Sequence, residues 1–240
     1  DYIEKADPKA AIIELRNVIQ IDPKHADARY QLGKLHLESG DMRAAFDELQ
    51  RAATLDPQNL DAGVKVAEFY LMAKNKEESR NRLTKVLEVD PAYPDGLALL
   101  ANLEIIDGNF EAAQKALDTV PAENGGTDRF YNIQGRLFAA TEQFEESEKM
   151  FIKALEAGPE KISNYRTLLL FYQSRKMLDK ADEIMNKIDS TFPDDIQAQL
   201  LKVNYYRTLK DNEKTVMAIR RLMEIQPEEE QYRLMLASFF

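Results

Sequence analysis

The apolar residues of this chain fall into two helical patterns that alternate, with a polar turn between them. From Ala26, "ADARYQLGKLHLESGD" places Leu32, Leu35 and His36 at i, i+3 and i+4, and "MRAAFDELQRAATL" places Ala45, Leu49 and Ala52 at i, i+4 and i+7. Each spacing gathers the apolar side chains on one side of a helix, so the pair predicts a helical hairpin. The turns inside such pairs are written "SGD" at Ser39, "DGN" at Asp107 and "KDN" at Lys210, residue types that cap and break helices.

The whole pattern recurs. "DPKAAIIELRNVIQIDPKH", from Asp7, is nearly restated 34 residues later from Asp41. Pro23, Pro57 and Pro91 keep that interval, as do Pro159, Pro193 and Pro227, and the gap between the two sets falls on Gly125. Each proline stands where one hairpin hands over to the next, a position that starts a helix and cannot continue one. Ala11, Ala45, Ser79, Ala113, Ser147, Ala181 and Thr215 share the interval too, and small residues there let two helix backbones approach. A fixed period of this length marks a stacked array, because one hairpin cannot bury its apolar face alone. The chain is expected to be one array over 1–240, with a partial repeat 1–25, repeats from 26, 60, 94, 128, 162 and 196, and a partial final repeat 230–240.

The chain opens inside a first-helix pattern, with Tyr2 in the aromatic register, and closes inside another, "QYRLMLASFF". A longer parent array is the expectation, and Phe239 and Phe240, lacking a partner helix, would offer a face for self-association. In "VPAENGGTD" Pro121 should end a helix early and the glycine pair should loosen the hand-over, either as a longer loop or mild hinge, or as simple degeneration of the repeat.

Composition supports an all-α chain: 44% hydrophobic, 31% charged and nine glycines, with no competing sheet signal. No apolar run reaches the length of a membrane span, so direct membrane insertion of this segment is not expected. With no cysteine, disulfides and thiolate chemistry are excluded, and a reducing or an oxidising compartment fits equally. A net charge of −10 argues against nucleic acid, whose phosphates demand a basic surface. His25 beside a turn and His36 at an aromatic position read as turn and core. Glu145, Glu146 and the run Glu228 to Glu230 read as a solvated face. No phosphate loop or metal-ligand cluster occurs, so no catalysis, cofactor or metal is expected.

End to end, the chain resembles the tetratricopeptide repeats, whose pattern is a large residue, Leu-Gly, an aromatic, a small residue, an aromatic or Leu, Ala and Pro. In the repeat from Ala26 these are Leu32-Gly33, His36, Ala45, Leu49, Ala52 and Pro57; the repeat from Leu60 ends on Pro91. From Asp128 come Tyr131, Gly135, Phe138, Ser147, Phe151, Ala154 and Pro159, and from Ile162 come Tyr165, Leu168, Tyr172, Ala181, Met185 and Pro193. The resemblance implies a right-handed superhelical solenoid whose concave face, lined by the first helix of each hairpin, holds a peptide or partner helix. The first 60 or so residues also resemble, in repeat style, bacterial envelope lipoproteins of exopolysaccharide and exosortase systems.

On that face Arg129, Asn132 and Arg136 lie at i, i+3 and i+7, and Arg166 follows Asn132 by 34, so three arginines would converge and could hold an acidic segment by bidentate bonds. The alternative is that they pair with neighbouring Glu side chains. Tyr30, Lys34, Val64, Glu68, Ala98 and Asn102 continue the face toward the N-terminus. Where the family's carboxylate-clamp subgroup needs Lys and Asn, this chain has Tyr30 and Lys34, then Val64 and Glu68, so that clamp is not reproduced. The expected function is a protein–protein interaction scaffold, placed in bacterial envelope or secretion assembly sooner than in the cytoplasm. The alternative is a non-catalytic spacer or recruiting segment of a larger enzyme or transport protein.

Overall fold

A computed structural model describes residues 8–121 and 126–238, all in helices and the turns between them. Tyr2, residues 122–125 of the "VPAENGGTD" loop, with the Gly125 position that continues the proline register, and Phe239 and Phe240 lie outside the described residues. The chain forms two compact units, 1–125 and 126–240.

The first unit contains α1 (Pro8–Ile21), α2 (Ala26–Glu38), α3 (Met42–Leu55), α4 (Leu60–Met72), α5 (Lys76–Val89), α6 (Pro94–Asp107) and α7 (Phe110–Asp118). The second contains α8 (Asp128–Ala140), α9 (Phe144–Ala157), α10 (Ile162–Ser174), α11 (Leu178–Thr191), α12 (Ile196–Thr208), α13 (Asn212–Ile225) and α14 (Glu230–Ala237). Within each unit, successive helices pack as antiparallel hairpins, and each hairpin stacks on the next. The even-numbered helices from α2 to α12 begin at the six positions where the sequence pattern restarts. α7 is nine residues long where the other second helices have 14, as Pro121 leads one to expect.

The recurrent small residues are buried, and they differ in how polar atoms are satisfied. The hydroxyls of Ser79 and Ser147 each donate to a carbonyl of the facing helix, Ala67 and Gly135, at 2.8 Å. Where the facing residue is glycine the fit is tightest: a Cβ at Gly33 would lie 2.7 Å from Leu49 Cγ, and one at Gly135 would lie 2.6 Å from Phe151 Cε1. In the first unit the core runs through Val64, Ala67, Leu83, Val86, Leu99 and Leu103. In the second it runs from Phe151 through Leu168, Met185 and Ile188 to Tyr205.

Caps recur with the helices. Asp41, Asn59, Asn75, Thr127, Asp195 and Asp211 accept a backbone N–H of the first turn through their side chains, and His25 does so through Nδ1 at 3.1 Å. Asn109 makes no such bond. His36 is buried, as its repeat position requires.

Each hairpin turn closes on a left-handed residue: Gly40, Lys74, Gly108, Glu142, Lys176 and Lys210, with φ between 57° and 80°. Their neighbours' N–H groups reach back to the helix end, as in Asn75 N–H to the Tyr70 carbonyl (2.8 Å) and Met177 N–H to the Tyr172 carbonyl (2.9 Å). The prolines differ from expectation. Pro23, Pro57, Pro91, Pro159, Pro193 and Pro227 stand in the turn three residues ahead of the next helix, not in its first turn; after four of them a side chain, His25, Asn59, Asp195 or Glu229, caps the entry, while Tyr93 and Lys161 make no such bond. Three of their carbonyls are held by a side chain six residues on: Pro23 by Arg29, Pro193 by Gln199 and Pro227 by Arg233.

Carboxylates tie the helices together in both units. Burial pushes Glu104 up, but hydrogen bonds from Arg80 and from Asn109 (2.9 Å) outweigh it and hold its carboxyl below the usual range. Lys76 and Arg80 lower Asp107, at 2.5 and 3.0 Å. Asp128 and Glu148 are pushed up by burial and pulled further down, by Lys161 with Asn164 and by Lys180 with Tyr172. Since all four are depressed in the folded state, the unfolded chain takes up these protons first as pH falls. Their contribution is fully present above the ordinary carboxyl range near pH ~4 and is lost as pH drops through the folded values. Thermal melts at stepped pH are expected to show a flat Tm near neutrality and a decline below about pH 4; a Tm unchanged at pH ~3 would remove these pairs from the account.

Candidate functional site

The first helices of the second unit present a polar face built on α8 and α10. Thr127 caps α8, its hydroxyl accepting the Phe130 N–H at 3.2 Å, and the next residue, Asp128, receives Lys161 Nζ at 2.7 Å and Asn164 Nδ2 at 3.3 Å. Asn164 is 1% exposed, and its Nδ2 also donates to the carbonyls of Ala154 (3.1 Å) and Gly158 (2.9 Å), locking α10 onto the end of α9. Asn132 donates from Nδ2 to Asn164 Oδ1 at 2.8 Å, while its own Oδ1 is buried with no partner among the described residues.

Arg136 lies a turn beyond Asn132. Its surface is open to solvent, yet enough protein surrounds the guanidinium to desolvate it and lower its pKa from the usual arginine value. No carboxylate among the described residues opposes that desolvation. Arg166 is exposed, its Nη2 donating to Gln197 Oε1 at 3.3 Å, a neutral partner. Arg129 is partly exposed and already engaged.

Of the residues proposed to converge, the contact that crosses from α8 to α10 runs from Asn132 to Asn164 and not to Arg166. Sequence reasoning passed over Asn164. Its signal was an asparagine in a buried register of a first helical turn, where it can satisfy the carbonyls that the preceding helix leaves open.

In the first unit the corresponding face is largely closed. The Tyr30 hydroxyl donates to Asp61, which also lies 3.6 Å from Lys65 Nζ; burial, then Asp61, raises the phenol pKa. Lys34 Nζ sits 5.5 Å from the Tyr30 ring centroid. Val64 and Ala98 are core side chains, 1% and 2% exposed, and Asn102 is 9% exposed with Oδ1 unpartnered among the described residues. They stand against neighbouring helices where the sequence reading had them lining a groove.

Among the described residues no group of three or more His, Cys, Asp or Glu side chains converges on a metal-sized space, and no helix is long and apolar enough to cross a membrane.

The model of the family described as "Tetratricopeptide repeat" matches residues 2–45, 36–103 and 77–137. No curated protein matches the chain. Among solved structures, the Cut9–Hcn1 hetero-tetramer of the APC/C superposes with a TM-score of 0.68 at 15% identity, over 98% of this chain and 46% of that one. This chain thus spans under half of that relative. A tetratricopeptide repeat protein from Parabacteroides merdae gives 0.62 at 18% identity, over 100% of this chain and 94% of that one. PilW, a widely conserved type IV pilus biogenesis factor, gives 0.60 at 18%, over 88% and 98%. At such identities the likeness establishes the fold alone.

Proposed function

Because the chain belongs to the tetratricopeptide repeat family, we propose that it is a protein–protein interaction scaffold whose α8 and α10 face holds an acidic segment of a protein partner. Arg136 carries the reading. A guanidinium that is desolvated with no opposing carboxylate among the described residues favours an incoming anion, and arginine's planar fork suits a carboxylate. Arg166, exposed and held only by an amide oxygen, supplies a second cation, and Arg129 flanks them on α8. Asn132 steadies that face from below, through its bond to Asn164.

The organisation belongs to the same proposal: a single array of repeats over 1–240. Helix starts at Ala26, Leu60, Pro94, Asp128, Ile162 and Ile196 support it. The proposal includes an envelope setting, where the scaffold would serve a pilus, secretion or polysaccharide assembly, a reading supported by its likeness in fold to a pilus biogenesis factor.

The test pairs the wild-type chain with Arg136→Glu, Arg166→Glu in pull-downs from the source organism, followed by affinity measurement with the recovered partner. Charge reversal is expected to weaken binding by about tenfold or more and to leave the Tm unchanged. Equal retention by both proteins would remove these arginines from the site.

A further inference from the structure

A cleft of the second unit is lined by residues of α11, α12 and α13 and by none of α8 or α10. It has a volume of about 690 Å³ and runs between α11 and α13 over a floor contributed by α12. The first unit carries a cleft in the same register, between α3 and α5 over α4, of about 290 Å³. The linings differ in both directions, since Gln199 stands where the first unit has Gly63. Where the first unit has Arg82, the second, four repeats on, has Ala218, and the shorter side chain leaves the space open.

The chemistry of the enlarged cleft is specific. Met217, 63% exposed, and Ala218 give it an apolar wall, and Tyr206 adds a ring with Lys214 Nζ 5.2 Å from its centroid. Four lining cations face two lining carboxylates in a protein of net charge −10. Two of those cations are committed: Lys202 pairs with Asp189, and Arg221 with Asp194 and with Glu224 at 2.6 Å. The other two are available. Lys214 is exposed, with a loose contact of 3.7 Å to Asp211, and Arg220 is exposed with no ion pair among the described residues. At the floor, Gln199 is 2% exposed; its Nε2 is fixed on the Pro193 carbonyl at 2.9 Å, which leaves Oε1 as an acceptor without a partner among the described residues.

We infer that this cleft is a second docking site, for an acidic peptide segment carrying an apolar anchor residue. The anchor lies against Met217, Ala218 and Tyr206. Flanking carboxylates meet Lys214 and Arg220, and a peptide N–H faces Gln199 Oε1. Charge complementarity selects the occupant, since a basic or neutral segment would leave both available cations without a counter-charge. The volume lies within the range of clefts that hold small ligands, about 300–1,000 Å³, enough for a short segment and not for a folded domain.

The experiment uses the whole chain, methyl-labelled at methionine, with three fluorescein-tagged hexapeptides: Glu-Asp-Leu-Phe-Asp-Glu, its apolar-free counterpart Glu-Asp-Ser-Ser-Asp-Glu, and the basic Lys-Lys-Leu-Phe-Lys-Lys. The first probe is expected to shift the Met217 methyl signal and to bind at least about tenfold more tightly than either control. Lys214→Glu with Arg220→Glu should weaken it by a similar factor, and Ala218→Arg, which restores the first unit's residue, should block it while adding a favourable charge. Arg136→Glu with Arg166→Glu should leave it unchanged. The inference is overturned by an unmoved Met217, by equal binding of a control peptide, by undiminished binding to Ala218→Arg, or by loss only in the Arg136 and Arg166 variant, which would assign the probe to the α8 and α10 face instead.

Discussion

Phe151→Ala is expected to destabilise the second unit by about 3–5 kcal/mol, the largest loss we anticipate from a single substitution. The ring is 4% exposed, meets Phe171 edge-on with centroids 5.4 Å apart, and covers the backbone of Gly135 so closely that a Cβ there would intrude to 2.6 Å. Overpacking is the other side of the same contact: Gly135→Ala in the wild-type background should cost about 1–3 kcal/mol, because a buried ring cannot step aside as a flexible side-chain end can. In the Phe151→Ala background that cost should nearly vanish, so the double-mutant cycle should show coupling of about 1 kcal/mol or more. Urea denaturation of the four proteins measures it. Additive losses would show that Gly135 is intolerant for a reason other than the ring.

The second large effect is a gain. Glu142, Lys176 and Lys210 hold left-handed backbone at the hairpin turns of the second unit, with exposed side chains, whereas Gly40 and Gly108 occupy the same turn position elsewhere. A left-handed L-residue costs about 1–2 kcal/mol, from which glycine's greater unfolded-state freedom takes back part. Replacing each by Gly should add about 1 kcal/mol, and because the turns are a repeat apart the three should sum to about 3 kcal/mol. A raised denaturation midpoint with unchanged slope in the triple variant is the expected observation. No gain would mean that local bonds already offset the strain, as a well-made helix terminus can.

How far the sequence disclosed this molecule depends on the kind of signal. Helix boundaries at Ala26, Leu60, Pro94, Asp128, Ile162 and Ile196 were legible because the period holds at all six, with a capping side chain ahead of Ala26, Leu60, Asp128 and Ile196. The seven small residues were legible because close backbone approach admits nothing larger. Position within a repeat did not settle accessibility, however. Val64 and Ala98 share a register with Tyr30 and Asn132, yet they are buried, since accessibility depends on how far a neighbouring helix side chain reaches across. The left-handed turns at Lys74, Glu142, Lys176 and Lys210 left no mark in residue type; only their spacing from Gly40 and Gly108 could have betrayed them. Nor did the cleft over α12 show in the repeat, because the register position that Arg82 and Ala218 share changes residue type along the array, from Glu48 through Met150 and Ile184, and so carries no repeat signal.

The six left-handed turns stand 34 residues apart, and so do the caps that follow them. A chain built this way can change length only in whole steps. Losing or gaining one complete period joins a helix end to a turn in the same register, whereas an insertion of any other size inside a helix turns its buried stripe away from its neighbour. Length variation among descendants of such a gene is therefore quantised, and the junction of each added copy is silent in the local structure.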